Sequence, residues 1–380
     1  MTNQPAEVRL YYLDSLRGLA ALAVVVGHYV AAYGTPPGVP EVLLWRTPLA
    51  ATVDGYAAVS FFFVLSGFVL SIGYFRDPSR LHERFSYGAY MIARVFRLWV
   101  PYAAVFLVTW AMRSWLFDPV STVPVKSPWL AQFWQHPLGV REALTELSLV
   151  VPPQMHRLLP PGWTLSTELS LSLLIPIGAL LAERRLWWLV SLVAFGIVAL
   201  GMPRFLFHFM IGIVLCRVWV ARGSPVARMR PVAKALLWGI AVLLYTYGFT
   251  IAPLAPALLP DLKVWYMTGI GSAMLLALVL DAPVLQALLV RPALRQIGRS
   301  SYSIYLVHFG VLMIAIPWLH GGIARGHTTL PPLAWYAGLV ALVGSTLALA
   351  AITERWIERP AIATGHRLAR TVSPLDSAPR

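Results

Sequence analysis

The chain has 380 residues, 58% of them hydrophobic and 12% charged, with a formal net charge of +14. Soluble domains carry about 25% charged residues, so half that share excludes an ordinary soluble fold and predicts a polytopic all-α membrane protein. The basic excess is not read as a nucleic-acid surface, because its placement along the chain follows membrane sidedness instead. Fifteen tryptophans and fifteen tyrosines suit the two membrane–water interfaces. A single cysteine, Cys216, excludes an intrachain disulfide and a cysteine-rich metal site, and reads as a small buried hydrophobe.

Ten apolar stretches near the ~20 residues a bilayer requires are expected. They run at about 13–33, 54–75, 97–117, 162–182, 186–201, 203–221, 233–252, 264–281, 300–320 and 332–353. The first is read as a retained span and not as a cleaved leader, because Asp14 and Arg17 interrupt it. The long connection 118–161 is rich in proline and tryptophan and is expected to fold against the bundle. A single membrane domain over 1–360 and a mobile tail over 361–380 complete the expected organisation.

Sidedness follows from the basic residues. With the N-terminus in the cytoplasm, 22 of the 30 lysines and arginines fall on the inner side and eight on the outer. Ten spans with both termini inside satisfy that skew.

Within the first stretch, Arg17 and His28 lie eleven residues apart. Eleven steps bring a helix to within roughly 20° of whole turns, so the two side chains share a face about 16 Å apart along the axis. A cation and an imidazole aligned inside a membrane helix are costly, which makes a functional site the default expectation. Asp54 opens the second stretch from the outer side, and Glu168 lies about 9 Å into the fourth. His28, Asp54 and Glu168 are therefore expected at one depth, where a carboxylate can orient the imidazole. His28 also fits a hydrogen-bonded structural histidine, and Asp54 an ordinary helix N-cap. Thr164, Glu168 and Ser172 repeat every four residues as one polar stripe.

On the inner side Arg94 and Arg97, three residues apart, share a face before the third stretch, with Arg17 entering from the same side. Three arginines can clamp phosphates, although bases flanking a span also serve as topology signals. In the ninth stretch Ser301, Tyr305 and His308 fall on one face, with His308 about 12 Å in, either lining a passage between the two ends or bracing helices. No Walker loop, dinucleotide fingerprint or paired-histidine zinc motif occurs.

Taken in order, these motifs resemble acyltransferase family 3, the integral-membrane O-acyltransferases of bacterial polysaccharides and antibiotic sugars. The resemblance rests on the run Leu13 to Ala21 with its Arg17/His28 pair, Phe61 to Phe68, Arg94 with Arg97, Trp163 to Glu168, Ser301 to His308, and Glu358-Arg359-Pro360. It covers about residues 10–360.

The resemblance implies ten helices, an acyl-CoA donor (acetyl-CoA first among them) and a hydroxyl acceptor, with no tightly bound cofactor and no metal. By matching position it implies roles for Arg17, Arg94, Arg97, His28 and Glu168. The expectation that follows has Arg17, Arg94, Arg97 and His308 holding or lining the donor path. His28 acts as general base, aided by Asp54 or Glu168. The acceptor is an extracytoplasmic saccharide or glycosylated small molecule, and the setting is a bacterial inner membrane. No fused hydrolase-type domain is read, so the minimal form is expected, acting alone or with a separate partner. Buried ionisable residues in ten spans also suit a transporter or flippase of a polar or lipid-linked molecule, and a sensor or scaffold of the envelope is a third reading.

Overall fold

In the computed structural model, residues 10–79, 85–116, 127–149, 156–184, 191, 195–196, 204–254, 260–323 and 330–373 are described. All the regular structure among them is helical. The main elements are α1 (Tyr11–Tyr33), α2 (Gly55–Arg76), α3 (Tyr87–Leu116), α4 (Val140–Leu147), α5 (Gly162–Ser172), α6 (Ile175–Glu183) and α7 (Phe205–Arg222). They continue with α8 (Pro231–Tyr245), α9 (Pro260–Val279), α10 (Pro283–Leu289), α11 (Pro292–Arg299), α12 (Ser301–Ile323), α13 (Pro332–Thr353) and α14 (Arg359–Val372).

Six helices are long and apolar enough to cross a membrane alone, and three bent pairs raise the number to nine. The protein is thus a multi-pass membrane protein with six to nine spans among the described residues, against ten expected. Nine of the ten expected stretches coincide with described helices; most of the fifth, 186–201, lies outside the described residues. The pairs bend by 49° between α5 and α6, by 76° after α8, and by 95° between α9 and α10. Prolines open α6 and α10, at the first turn where a missing N–H does no harm and a straight continuation is disfavoured.

Close helix contact is set by glycine. Gly67 of α2 lies against the Phe209 carbonyl of α7, and Gly212 of α7 against the Val64 carbonyl of α2, so a Cβ at either would fall on the facing backbone. Two apolar cores result. One joins α1, α2, α7 and α9. The other joins α1, α3, α12, α13 and the connection at 127–149 and 156–161. Helix α1 belongs to both, so a polar residue on α1 sits at the seam between them.

The connection before α5 folds against the bundle, as its composition predicts. Ser127 donates its amide to the Ala32 carbonyl (3.0 Å) and its hydroxyl to the Ala31 carbonyl (2.6 Å), fastening the segment to the end of α1. Glu146 is buried and accepts the amides of Arg157, Leu158 and Leu159 at 3.0 Å. At the opposite end α3 starts at Tyr87, ten residues before the expected span. Helix α13 runs on through a π turn at Glu354–Glu358 into α14. There Gly365 of α14 packs against Phe96 of α3, which brings the Glu358 carboxylate next to the arginine-bearing turns.

Candidate active site

Five elements converge on one cavity with about 620 Å³ of atom-free space, its mouth included. Arg17 comes from α1, Arg97 from α3, Thr164 and Glu168 from α5, and Ser301 and Tyr305 from α12. The aromatic run of α2 supplies an apolar wall through Phe62 and Phe63.

The arginines do not play equivalent parts. Arg94 is buried, donating from Nη2 to Glu168 Oε1 at 3.0 Å and to Ser172 Oγ at 2.8 Å, while its Nε lies 3.2 Å from the same hydroxyl. The Tyr90 hydroxyl donates to the Ser172 carbonyl at 3.0 Å and closes this knot. Arg97 is accessible on the cavity wall, within electrostatic reach of Arg17, Arg94, Glu168 and Glu358. Three cations so close repel one another, and the two carboxylates offset part of that repulsion. Glu358 is itself buried and accepts the Ser303 hydroxyl at 2.6 Å. Arg17 and Arg97 are the two guanidinium groups facing the cavity, an arrangement that suits a phosphate-bearing ligand.

Behind Tyr305 of the cavity wall stands a histidine pair, neither ring of which lines the cavity. Thr164 Oγ1 and Tyr305 Oη lie 2.9 Å apart. One turn on, His308 Nδ1 lies 2.7 Å from the Tyr305 main-chain oxygen, and His308 Nε2 lies 2.9 Å from His28 Nδ1. His308 is fully buried behind Tyr305, whereas His28 keeps partial exposure. Around His28 stand Trp129 from the connection before α5, with ring centroids 5.2 Å apart, and Phe309 at 6.1 Å.

The two carboxylates expected beside His28 make their hydrogen bonds to other partners. Glu168 pairs with Arg94 and shares the cavity with Arg17 and Arg97. Depth counting along straight, perpendicular helices does not anticipate this pairing. Asp54 is buried as the N-cap of α2, its Oδ1 accepting the Ala57 amide at 2.9 Å. The features that sequence reading missed are the Glu358–Ser303 bond, Tyr302 (its hydroxyl donating to the Leu98 carbonyl at 2.5 Å) and the Trp129 ring over His28. A carboxylate closing the last span was a usable signal for Glu358; nothing in local spacing pointed to Trp129. No group of three or more metal-ligating side chains occurs among the described residues.

A cation cluster at one cavity, with a histidine pair behind the cavity's Tyr305, stands in a helical membrane bundle, and the sequence matches a known family. Residues 10–352 fit the profile of the acyltransferase domain of acyltransferase family 3. The chain belongs to that family. It is 25% identical to the acyltransferase MdmB of Streptomyces mycarofaciens, across 99% of this chain and 96% of that protein. It is 24% identical to the peptidoglycan O-acetyltransferase OatA of Listeria monocytogenes, across 92% of this chain and 56% of that longer protein. No solved structure matches. The chain is a membrane acyltransferase, and family membership sets aside the transporter and scaffold readings.

Proposed function

We propose that this acyltransferase moves an acyl group, acetyl in the first instance, from cytoplasmic acyl-CoA to a hydroxyl of an extracytoplasmic saccharide or glycosylated small molecule. One observation carries the reading: a single cavity bears Arg17 and Arg97 on its wall and reaches Tyr305, whose backbone holds the His308–His28 pair. Coenzyme A has that shape, with phosphates at one end and a thioester on a thin arm. Arg17 and Arg97 hold the phosphates. Arg94, neutralised by Glu168, shapes the floor of that site and contributes little net charge to the donor.

His28 takes the proton of the acceptor hydroxyl as its oxygen attacks the thioester carbonyl carbon. The new C–O bond forms, the C–S bond breaks, and the coenzyme thiolate receives the proton from the imidazolium. Asp54 acts at one remove: it caps α2, and Gly27, next to His28, packs against the adjoining Val53 carbonyl. The donor is a co-substrate, and no resident cofactor or metal is required. Ten spans with both termini in the cytoplasm of a bacterial inner membrane place the arginines on the donor side.

The test is incubation of membranes with labelled acetyl-CoA. Label is expected on a saccharide or small-molecule hydroxyl, and His28→Ala is expected to abolish transfer with expression and insertion unchanged. Arg97→Ala is expected to raise the donor KM by about ten-fold or more, the worth of one charge-assisted phosphate contact. Transfer surviving His28→Ala rejects the base assignment; an unchanged donor KM returns Arg97 to a topology signal.

A further inference from the structure

With both imidazoles neutral, the donor and acceptor roles of the histidine pair follow from one atom that can only accept. The Tyr305 main-chain oxygen can only accept, so His308 Nδ1, 2.7 Å away, carries a proton and donates. A neutral imidazole has one N–H, which leaves His308 Nε2 as an acceptor. His28 Nδ1, 2.9 Å from that nitrogen, must then be the protonated one, and the lone pair of His28 resides on Nε2.

We infer that His308 is the positioning residue of the site: it sets the tautomer of His28 and directs the basic Nε2 lone pair at the acceptor, the task a carboxylate performs in other base-orienting pairs. This deepens the proposed function and rests on its reading of His28 as the base. The carboxylates that sequence reading offered for the task are committed elsewhere, Glu168 to Arg94 and Asp54 to the Ala57 amide.

The surroundings explain why a neutral partner serves. His28 is ringed by Trp129 and Phe309, and His308 is completely buried. A carboxylate there would be an unpaired buried charge whenever His28 is neutral, which is costly. A neutral imidazole avoids that cost in the resting state. It still strengthens its hydrogen bond when His28 takes up the acceptor proton and its Nδ1–H becomes that of an imidazolium. Stacking of the two rings, centroids 5.1 Å apart and 27° between planes, holds them in register.

Two substitutions separate positioning from packing. His308→Gln places a carbonyl oxygen within reach of His28 Nδ1–H; His308→Leu fills similar space with no acceptor. Turnover is expected to fall by about 10²-fold or more in His308→Leu with the donor KM within about two-fold, and His308→Gln to recover at least about ten-fold of that loss. Histidine-selective 15N NMR in nanodiscs reads the tautomer directly, with the His28 signal assigned by its disappearance in His28→Ala. The wild type and His308→Gln are expected to show His28 protonated on Nδ1 and bare at Nε2, a preference lost in His308→Leu. A wild-type His28 protonated on Nε2 overturns the inference, as do equal losses of turnover in both variants with the His28 tautomer unmoved. If His28→Ala retains transfer while the wild-type tautomer is as described, the positioning holds and the general-base reading fails instead.

Discussion

A guanidinium and a carboxylate enter a membrane bundle together or not at all. Arg94 and Glu168 meet at 3.0 Å with little of either side chain exposed, so losing one leaves the other charged and unpaired. Glu168→Ala is expected to cost about 3 kcal/mol of stability, and Arg94→Leu with Glu168→Leu less than the single change, because the double variant strands no charge. Thermal unfolding in detergent, followed by tryptophan fluorescence, measures both; a double variant less stable than Glu168→Ala contradicts the pairing argument. This pair also marks how far the sequence was legible. Helical spacing put Arg17 and His28 on one face of α1 and singled out Tyr305 and His308, because those relations are local and periodic. It did not assign partners. Glu168 was set beside His28 by depth alone, and depth says nothing about which neighbouring helix offers a cation. Asp54 was legible as an N-cap because capping is local too.

Segments were read from apolarity, which records length but not direction. The fourth span was therefore legible as one stretch, while its 49° bend after Ser172 was not; Pro176 was the local signal. Likewise α13 was taken to end near 353, but its helix continues to Val372 as the pattern changes from uniformly apolar to amphipathic. The connection before α5 was recognised as folded from its prolines and tryptophans, and its chemistry holds a further consequence. His156 is buried there, and neither of its ring nitrogens has a hydrogen-bond partner among the described residues. Burial pushes its imidazole down to about 4 from an ordinary value of 6.5. Above pH 6.5 both folded and unfolded chains carry it neutral, and it has no effect on stability. As pH falls from 6.5 toward 4 the unfolded chain binds the proton and the folded chain does not, so stability falls by up to about 1.4 kcal/mol per pH unit and levels off below 4. The thermal midpoint of the wild type is expected to drop more between pH 7.5 and pH 5 than that of His156→Leu. Parallel pH profiles for the two proteins count against this account. Glu146 bears on the same segment from the other direction. Its three amide partners at residues 157–159 bind that segment to α4, and Glu146→Ala is expected to make residues 127–161 cleavable by protease at temperatures where α1 and α12 stay protected.

At the scale of the molecule, the proposed reaction requires that donor and acceptor arrive from different compartments, and the basic residues predict which end of the bundle faces which. Arg94 and Arg97 lie near the start of α3, close to the turn that joins α13 to α14, whereas Ser127, Trp129 and His28 gather at the far end of α1. Those two ends carry the rich and the poor shares of lysine and arginine respectively, so the proposed topology puts the arginine end in the cytoplasm, on the side of the proposed acyl-CoA donor. The lone cysteine, Cys216, is buried in α7, so single introduced cysteines give clean reporters of sidedness once it is replaced by alanine. Gln135 lies exposed in the connection before α5 and Thr371 lies exposed near the end of α14. With Gln135→Cys, a membrane-impermeant maleimide is expected to label intact cells; with Thr371→Cys, labelling is expected only after the membrane is opened. The reverse pattern would place Arg17 and Arg97 on the outer face, away from cytoplasmic acyl-CoA, and the donor would then have to be an extracytoplasmic thioester or ester. Labelling of both sites in intact cells would mean that the number of spans between them is even where the charge asymmetry demands odd, and the stretch 186–201, most of which lies outside the described residues, is where the missing crossing must be sought.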